Sequence, residues 1–406
     1  MVETQTVLIV GAGHAGGTLA GLLRQNRFDG RIIMCGSEPY LPYHRPPLSK
    51  KYTDDEFTQW LKPESFYAEN DIETRLGDPV VQINRSTRTV TTRSGHNIGY
   101  ATLVLATGAE PRTLTLPGSD LEGVLSLRTL SDAHQLRTAV RAGAALAIIG
   151  GGYVGLEVAA SARAEGCEVT VIEREDRVLA RVASPELSAA LTEFHRNRGT
   201  RILTEAKVQQ IHGTDGRVNS VLLADGTEVP CGIVLVGIGA IPNDTLARDA
   251  GLDCATGIVV DGAARTSDPH ILAIGDVTYR LHDTLGAMVR LESIPSAVEQ
   301  AKQAASVITG TTPPSHEVPW FWSDQFDLKM KMAGMIRPDT RAVLRGNPSH
   351  TTFALFHIDT EGVPVAVETV NAAAEFMAGR KFIGNRTRVN TDVLADPTVP
   401  LREAVL

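Results

Sequence analysis

Cysteine is scarce in this sequence. Cys35, Cys167, Cys231 and Cys254 are the four in 406 residues, and no two lie close together. That scatter excludes a C-x-x-C motif or metal-ligand spacing, so no metal site is expected and the thiols should be reduced, structural and cytoplasmic. Aromatic residues are also few, at 5%, with Trp60, Trp320 and Trp322 the three tryptophans. The start, MVETQTVLIV, has no basic n-region, and its apolar run is only a strand long. Neither a signal peptide nor a membrane span is therefore expected. Positive charge is in deficit: the formal net charge of −8 argues against nucleic acid as a general partner and leaves room for a local basic patch.

What the chain has in quantity is glycine, 37 residues of it, and enough length for two or three domains. The glycines are not scattered evenly. Val7 to Val10 read as a buried parallel strand, and Gly11, Gly13 and Gly16 follow in G-x-G-x-x-G spacing, with a helix through Thr18 to Arg24. Gly11 permits the tight turn, Gly13 the close approach of a pyrophosphate, and Gly16 the packing of helix on strand. His14 and Ala15 lie inside this dinucleotide fingerprint, at the helix N-terminus that faces the phosphates. A second strand, Arg31 to Cys35, ends at Gly36, Ser37 and Glu38, where either Ser37 or Glu38 can bond the ribose hydroxyls.

The next stretch, LPYHRPPLSKKY (41–52), is stiffened by Pro42, Pro46 and Pro47 and carries Arg45 and Lys50 on a rigid loop. Lys50 is expected to lead a helix. It reads either as a contact to a cofactor phosphate or reduced ring, or as a solvated lysine. Leu103 to Ala106 form a further buried strand, closed by Thr107, Gly108 and Ala109. Pro111 and Pro117-Gly118 look like a domain crossing.

The fingerprint then repeats. A strand at Leu146 to Ile149 leads into Gly150, Gly152 and Gly155, a helix from Tyr153 to Ala164, and a strand from Glu168 to Ile172 ending in Glu173. Glu173 falls about 20 residues beyond the glycines, where an acid bonds a ribose 2′-hydroxyl and repels a 2′-phosphate. NADH is thus favoured over NADPH, although Arg174 and Arg177 nearby could take a phosphate. Gly237 and Gly239 make a second glycine turn beside this site. Ile271 to Ile274 form a strand ending at Gly275-Asp276, where Asp276 can accept from ribityl or ribose hydroxyls. Ser293 and Ile294 lead a helix over Ala297 to Ile308. Beyond Pro313-Pro314, residues 319–406 read as a third domain without a fingerprint, in which Trp320, Phe321 and Trp322 cluster.

Two dinucleotide fingerprints in one chain, with LVLATGA (103–109) and TSDPHILAIGD (266–276), resemble the flavoprotein reductases of glutathione-reductase type. More narrowly, LPYHRPPLSK (41–50), IIGGGYVGLEVAA (148–160), ESIPSAVEQA (292–301) and PWFWSDQFDLKMKMAG (319–334) are similar to the oxygenase-coupled NADH-dependent ferredoxin reductases. The resemblance implies an α/β fold with two Rossmann-like dinucleotide-binding domains and a C-terminal α+β domain. FAD would occupy 1–112 and 244–318, NADH 113–243, and the C-terminal domain would be 319–406.

It further implies FAD contacts at Ala15, Ser37, Lys50, Val81, Arg128, Asp276 and Ile294, with Arg45, Ala106, Thr107, Gly108, Gly275 and Ser293 in the same cofactor set. NADH would meet Gly150, Gly152, Gly155 and Glu173, with Tyr153 screening the nicotinamide. Glu157 would pair with Lys50 near the flavin and tie the two nucleotide domains together, and Trp322 would flank the ring, Trp320 being the weaker candidate. The loop 41–50 lacks the cysteine of related disulfide reductases, NADH oxidases and peroxidases, so a thiol relay is not expected. The partner implied is a [2Fe–2S] ferredoxin serving a cytochrome P450 or dioxygenase, docking on a basic face with candidates Arg290, Lys302 and Lys331, by a monomer or weak dimer. The competing readings are a rubredoxin reductase, an NADH oxidase or an apoptosis-inducing-factor-like redox signalling protein.

Overall fold

The computed structural model describes residues 5–406, so the first four residues of the MVETQTVLIV start lie outside it. The chain divides into two compact units. The first comprises residues up to 44, 59–110 and 241–319, and the second comprises 45–58, 111–240 and 320–406.

The first unit is built on a five-stranded parallel sheet in the order Ile271–Ala273, Thr102–Leu105, Thr6–Val10, Arg31–Gly36, Ile72–Leu76. Such strands are buried on both faces, which is why they read as continuous apolar runs. Leu8, Ile9, Ile32, Ile33, Leu103 and Val104 are all fully buried. On one face, the helices His14–Gln25 and Ile294–Ile308 pack together. Ala297, Ala301, Ala304 and Ala305 give the second helix a small-residue stripe against Leu19, Ala20 and Leu23 of the first. Its polar stripe is used as well: Arg280 bonds Glu299 at 2.6 Å and Gln303 at 2.9 Å, a buried ion pair with its donors committed. The other face is closed by the antiparallel strands Val80–Asn84, Thr89–Thr92 and Asn97–Gly99.

The second unit repeats the plan. Its parallel sheet runs Arg201–Leu203, Val169–Ile172, Leu146–Ile149, Ile233–Val236, Val124–Leu125. The helix Tyr153–Ala164 follows the central strand, as expected from the glycine spacing. A five-stranded antiparallel sheet follows, in the order Trp320–Gln325, Leu328–Gly334, Pro364–Val370, Thr352–Ile358, Arg341–Asn347, with the helix Ala373–Asn385 packed on it.

One expectation needs correcting. Lys50 does not lead a helix but ends one, Pro47–Lys50. Pro46 and Pro47 preset the first helical turn, since proline costs nothing where an amide would be unbonded anyway, and Lys51 then leaves helical geometry at φ −137°. Residues 45–58 pack as part of the second unit. Here Tyr52 is fully buried, and Ser161 Oγ donates to Lys50 O at 3.0 Å.

Candidate functional site

In the first unit the fingerprint turn is fixed by sterics. Gly11 has φ +124°, and a Cβ there would sit 2.1 Å from Ala106 O. A Cβ on Gly16 would sit 2.0 Å from Gly11 O. Only glycine fits at either position, so strand, turn and helix close on one another. The helix N-cap, Gly13, offers no side-chain cap, which leaves the first amides for an anionic group. The same rim gathers the C-terminal ends of the neighbouring strands, where open α/β sheets bind ligands. Ser37 and Glu38 follow Arg31–Gly36, and Glu38 accepts from Tyr43 Oη at 2.6 Å. Ala106, Thr107 and Gly108 follow Thr102–Leu105, with Thr107 Oγ1 donating to Asn243 O at 2.7 Å.

Gly275-Asp276 follow Ile271–Ala273, and a Cβ on Gly275 would lie 3.1 Å from that of Ala15. This loop therefore touches the first turn of the fingerprint helix. His14 stands 5.2 Å from the His44 ring. Ser293 caps the helix Ile294–Ile308 by accepting from Ser296 N at 3.3 Å, and Gln300 of that helix accepts from Gly275 N at 3.1 Å. Val81 stands apart on the strand Val80–Asn84, exposed beside a register shift. This rim fits an FAD: the cradle admits no side chain, and the polar ends converge on it.

In the second unit a Cβ on Gly150 would meet Gly237 O at 2.4 Å, and one on Gly155 would meet Gly150 O at 2.4 Å. Gly152, by contrast, faces open space. The crowded glycines hold the helix on the strand, and the open one leaves room for a phosphate. Glu173 accepts from Gly151 N at 2.7 Å and from Glu175 N at 2.9 Å. Two backbone amides thus aim its carboxylate, which keeps lone pairs for ribose hydroxyls. Arg177 is occupied with the carbonyls of Ala183 and Ala180, and Arg174 pairs with Glu175. Gly239, at φ +107°, adjoins the side chains of Arg112 and Arg181. These groups fit a dinucleotide carrying a free 2′-hydroxyl.

The helix Tyr153–Ala164 presents two further groups. Tyr153 packs edge-on against Phe321 with centroids 4.9 Å apart. Its hydroxyl is enclosed without a hydrogen bond, and burial, followed by the charges of Glu368 and Glu157, holds its pKa well above the ordinary value. One turn on, Glu157 is 4% exposed. Lys50 Nζ donates to its Oε1, Ser323 Oγ donates to the same oxygen at 2.6 Å, and Ser49 Oγ donates to Oε2 at 2.5 Å. The expected Lys50–Glu157 pair is formed, and both of its residues lie in the second unit. Arg45 bonds the carbonyl of Arg128, whose own amide donates to Asp132 at 2.9 Å.

The sequence reasoning missed Ser49 and Ser323. Both sit inside segments that carry the family resemblance, yet a serine among charged neighbours reads as surface and gives no contact signal. Alternation along Trp320–Gln325 puts Ser323 on one face and Trp322 with Trp320 on the other, their ring centroids 5.9 Å apart. Trp320 packs on Phe376, Lys331 Nζ lies 5.5 Å from that ring, and the Arg380 guanidinium lies 5.7 Å from Trp320. Of the cations considered for a docking face, Arg290 pairs with Glu292, and Lys302 lies 3.9 Å from Glu317. Among the described residues Lys331 has no carboxylate partner.

The four thiols are free, and burial raises the pKa of each, Cys35 to about 11 and Cys231 to about 12. Among the described residues no cluster of His, Cys, Asp and Glu could hold a metal ion, and no helix is long and apolar enough to cross a membrane.

The pyridine nucleotide-disulphide oxidoreductase family matches residues 5–301, and the reductase C-terminal family matches 320–405. The probable ferredoxin reductase CtmF of Castellaniella defragrans is 46% identical, over 98% of this chain and 98% of its own. The structure of a ferredoxin reductase for the CYP199A2 system from Rhodopseudomonas palustris aligns with a TM-score of 0.95 and 40% identity, covering 99% of this chain and 100% of that one. A covalent putidaredoxin reductase–putidaredoxin complex gives a TM-score of 0.95 at 37% identity, covering 98% of both chains.

The thiol environments make a direct prediction. A thiol reacts as thiolate, so groups raised this far stay protonated and inert near neutrality. At pH 8 Cys35 and Cys231 should resist an aromatic disulfide reagent in the native protein and react only after denaturation. Rapid native labelling of Cys35 would contradict the assignment of these thiols to packing.

Proposed function

The chain belongs to the pyridine nucleotide-disulphide oxidoreductase family, an FAD- and NAD(H)-using oxidoreductase family, and from that premise we propose that it passes electrons from NADH through FAD to a [2Fe–2S] ferredoxin. That ferredoxin would supply a cytochrome P450 or a dioxygenase. FAD, when bound, supplies the step the protein cannot: it takes a two-electron hydride and returns electrons singly.

The protein's part is positioning and electrostatics. On this reading, the first fingerprint (Gly11, Gly13, Gly16) holds the FAD pyrophosphate, with Ser37 or Glu38 at the ribose and Asp276 at the ribityl or ribose hydroxyls. The second (Gly150, Gly152, Gly155) holds NADH, with Glu173 on the adenosine 2′-hydroxyl. The corresponding division is an FAD domain over 1–112 and 244–318, an NADH domain over 113–243, and a C-terminal domain over 319–406. Tyr153 screens the nicotinamide. Lys50 brings a cation to the anionic edge of the reduced ring, and Glu157 orients it. Trp322 flanks the ring.

The observation that carries this reading is the ion pair of Lys50, its side chain 13% exposed, with the buried Glu157 of the helix that follows the second fingerprint, whose carboxylate two serines grip. A lysine so fixed is not a solvated surface charge. Hydride transfer needs alignment more than an acid or base, and a fixed cation preorganises the field at no cost during the reaction. Electrons leave without a thiol relay, in keeping with the cysteine-free 41–50 loop and the buried Cys35. For the ferredoxin we favour the face around Lys331, Arg380 and Trp320, where cations lie over aromatic rings. Arg290 and Lys302 are less available because each already neighbours a carboxylate. The setting proposed is the cytoplasm, and the protein a monomer or weak dimer.

The test is a steady-state assay of NADH-dependent cytochrome c reduction with and without a [2Fe–2S] ferredoxin. Turnover should depend on the ferredoxin and weaken with salt. Ferredoxin-independent turnover with oxygen uptake matching NADH loss would instead identify an oxidase. Glu173→Ala should raise the KM for NADH about tenfold while leaving the flavin spectrum unchanged, the scale of losing hydrogen bonds to a charged acceptor. An unaltered KM would remove Glu173 from the site.

A further inference from the structure

The Lys50–Glu157 pair is the end of a longer string. From Glu157, buried side chains lead through the strand Trp320–Gln325 to the helix Pro185–Asn197, all within the second unit. Ser323 Oγ is 2.6 Å from Glu157 Oε1, Gln325 Nε2 is 3.2 Å from Ser323 Oγ, and His195 Nε2 is 2.8 Å from Gln325 Oε1. Ser323, Gln325 and His195 have no exposed surface. The two-residue spacing of Ser323 and Gln325 puts both on one face of the strand.

One proton sets the direction of the whole string. The Glu157 carboxylate only accepts, and a serine hydroxyl has a single proton, so Ser323 donates to Glu157. The serine oxygen is then left to accept, and Gln325 must offer its amide NH2. That turns the Gln325 carbonyl to His195, which must donate through Nε2. His195 Nδ1 is therefore the bare nitrogen. It is enclosed with no hydrogen bond, which an unprotonated nitrogen tolerates far better than an N–H. Burial lowers the His195 pKa in the same sense, and Arg198 adds to this against the opposing Gln325 bond. Every link donates towards the carboxylate, and a buried polar string with its donors committed specifies one arrangement.

We propose that Ser323, backed by Gln325 and His195, is a positioning residue for the redox reaction: the string fixes the carboxylate plane of Glu157, and Glu157 fixes the ammonium of Lys50. This rests on the reading that Lys50 faces the reduced ring. Ser49 holds the other carboxylate oxygen at 2.5 Å, so the two serines together stop Glu157 from rotating. Without Ser323 the carboxylate turns and the lysine moves with it. The site thereby extends into the C-terminal sheet and to a helix that no fingerprint marks.

The test uses the full-length FAD-loaded protein and four variants: Ser323→Ala, Ser323→Thr, Lys50→Met, and Ser323→Ala combined with Lys50→Met. Stopped-flow reduction of the flavin by NADH should slow about three- to tenfold in Ser323→Ala, the scale of one buried hydrogen bond. The NADH concentration for half-maximal rate should not move. Ser323→Thr keeps the donor and should restore the rate. Ser323→Ala added to Lys50→Met should cause no further loss, because the two act through one group. A readout independent of turnover is the 15N spectrum of the histidine-labelled protein. Wild-type His195 should show protonated Nε2 and bare Nδ1. In Ser323→Ala, Gln325 loses its acceptor and can flip, so His195 should shift towards the other tautomer, and Ser323→Thr should hold it in place. The proposal is overturned if Lys50→Met slows reduction while Ser323→Ala keeps the wild-type rate and the wild-type His195 tautomer. A wild-type rate in Lys50→Met overturns the underlying reading of Lys50 instead, and the two failures are thereby told apart.

Discussion

A buried carboxylate must be paired, and the second unit is arranged around one. Glu157 is 4% exposed on a helix whose other buried residues are apolar or small. Left alone there, its charge would cost several kcal/mol, and breaking such a pair costs about 3–5 kcal/mol. Lys50, Ser49 and Ser323 supply the donors, and each comes from a different stretch of chain than the helix. Satisfying Glu157 therefore pins the Pro47–Lys50 turn and the first strand of the antiparallel sheet to the helix of the second fingerprint. A hydrophobic contact would have stabilised the same junction at least as well. A cation fixed at this junction is what the ionic version adds.

The fingerprints impose the second constraint, and it is purely steric. At Gly11, Gly16, Gly150 and Gly155 a single added carbon would sit 2.0–2.4 Å from a carbonyl group. Each turn is thus closed by backbone against backbone, while Gly152 stays open to one side. The same solution appears in both units, each time with the turn at the C-terminal rim of a parallel sheet. Closure of the fold depends on these atoms, which is why the pattern is visible in the chain at all.

Legibility in the sequence follows from the range of the interaction. Local rules were readable: apolar runs for parallel strands, glycine spacing for the turns, and an acid after the strand Val169–Ile172. The helix Tyr153–Ala164 and the strand Leu146–Ile149 were legible to the residue. Lys50 was misread as a helix start because two prolines mark a first turn without saying how soon the helix will end. Long-range pairing was not readable from local pattern. Lys50 and Glu157 lie 107 residues apart, and Ser323 lies 166 from Glu157. Family resemblance alone suggested the first contact, and nothing suggested the second. His195 gave no signal because a histidine on a helix looks the same whether it faces solvent or ends a buried string.

On the proposed reading, Lys50, held by Glu157, sets the electrostatics of the bound flavin. Dye-equilibrated reduction of the FAD-loaded protein measures this directly as the two-electron midpoint potential, in wild type, Lys50→Arg and Lys50→Met at equal FAD content. A cation near the ring stabilises the reduced anionic form. The potential should fall in Lys50→Met and stay close to wild type in Lys50→Arg, which keeps the charge. An unchanged potential in Lys50→Met would contradict the account, leaving the pair a structural clasp with no electronic role.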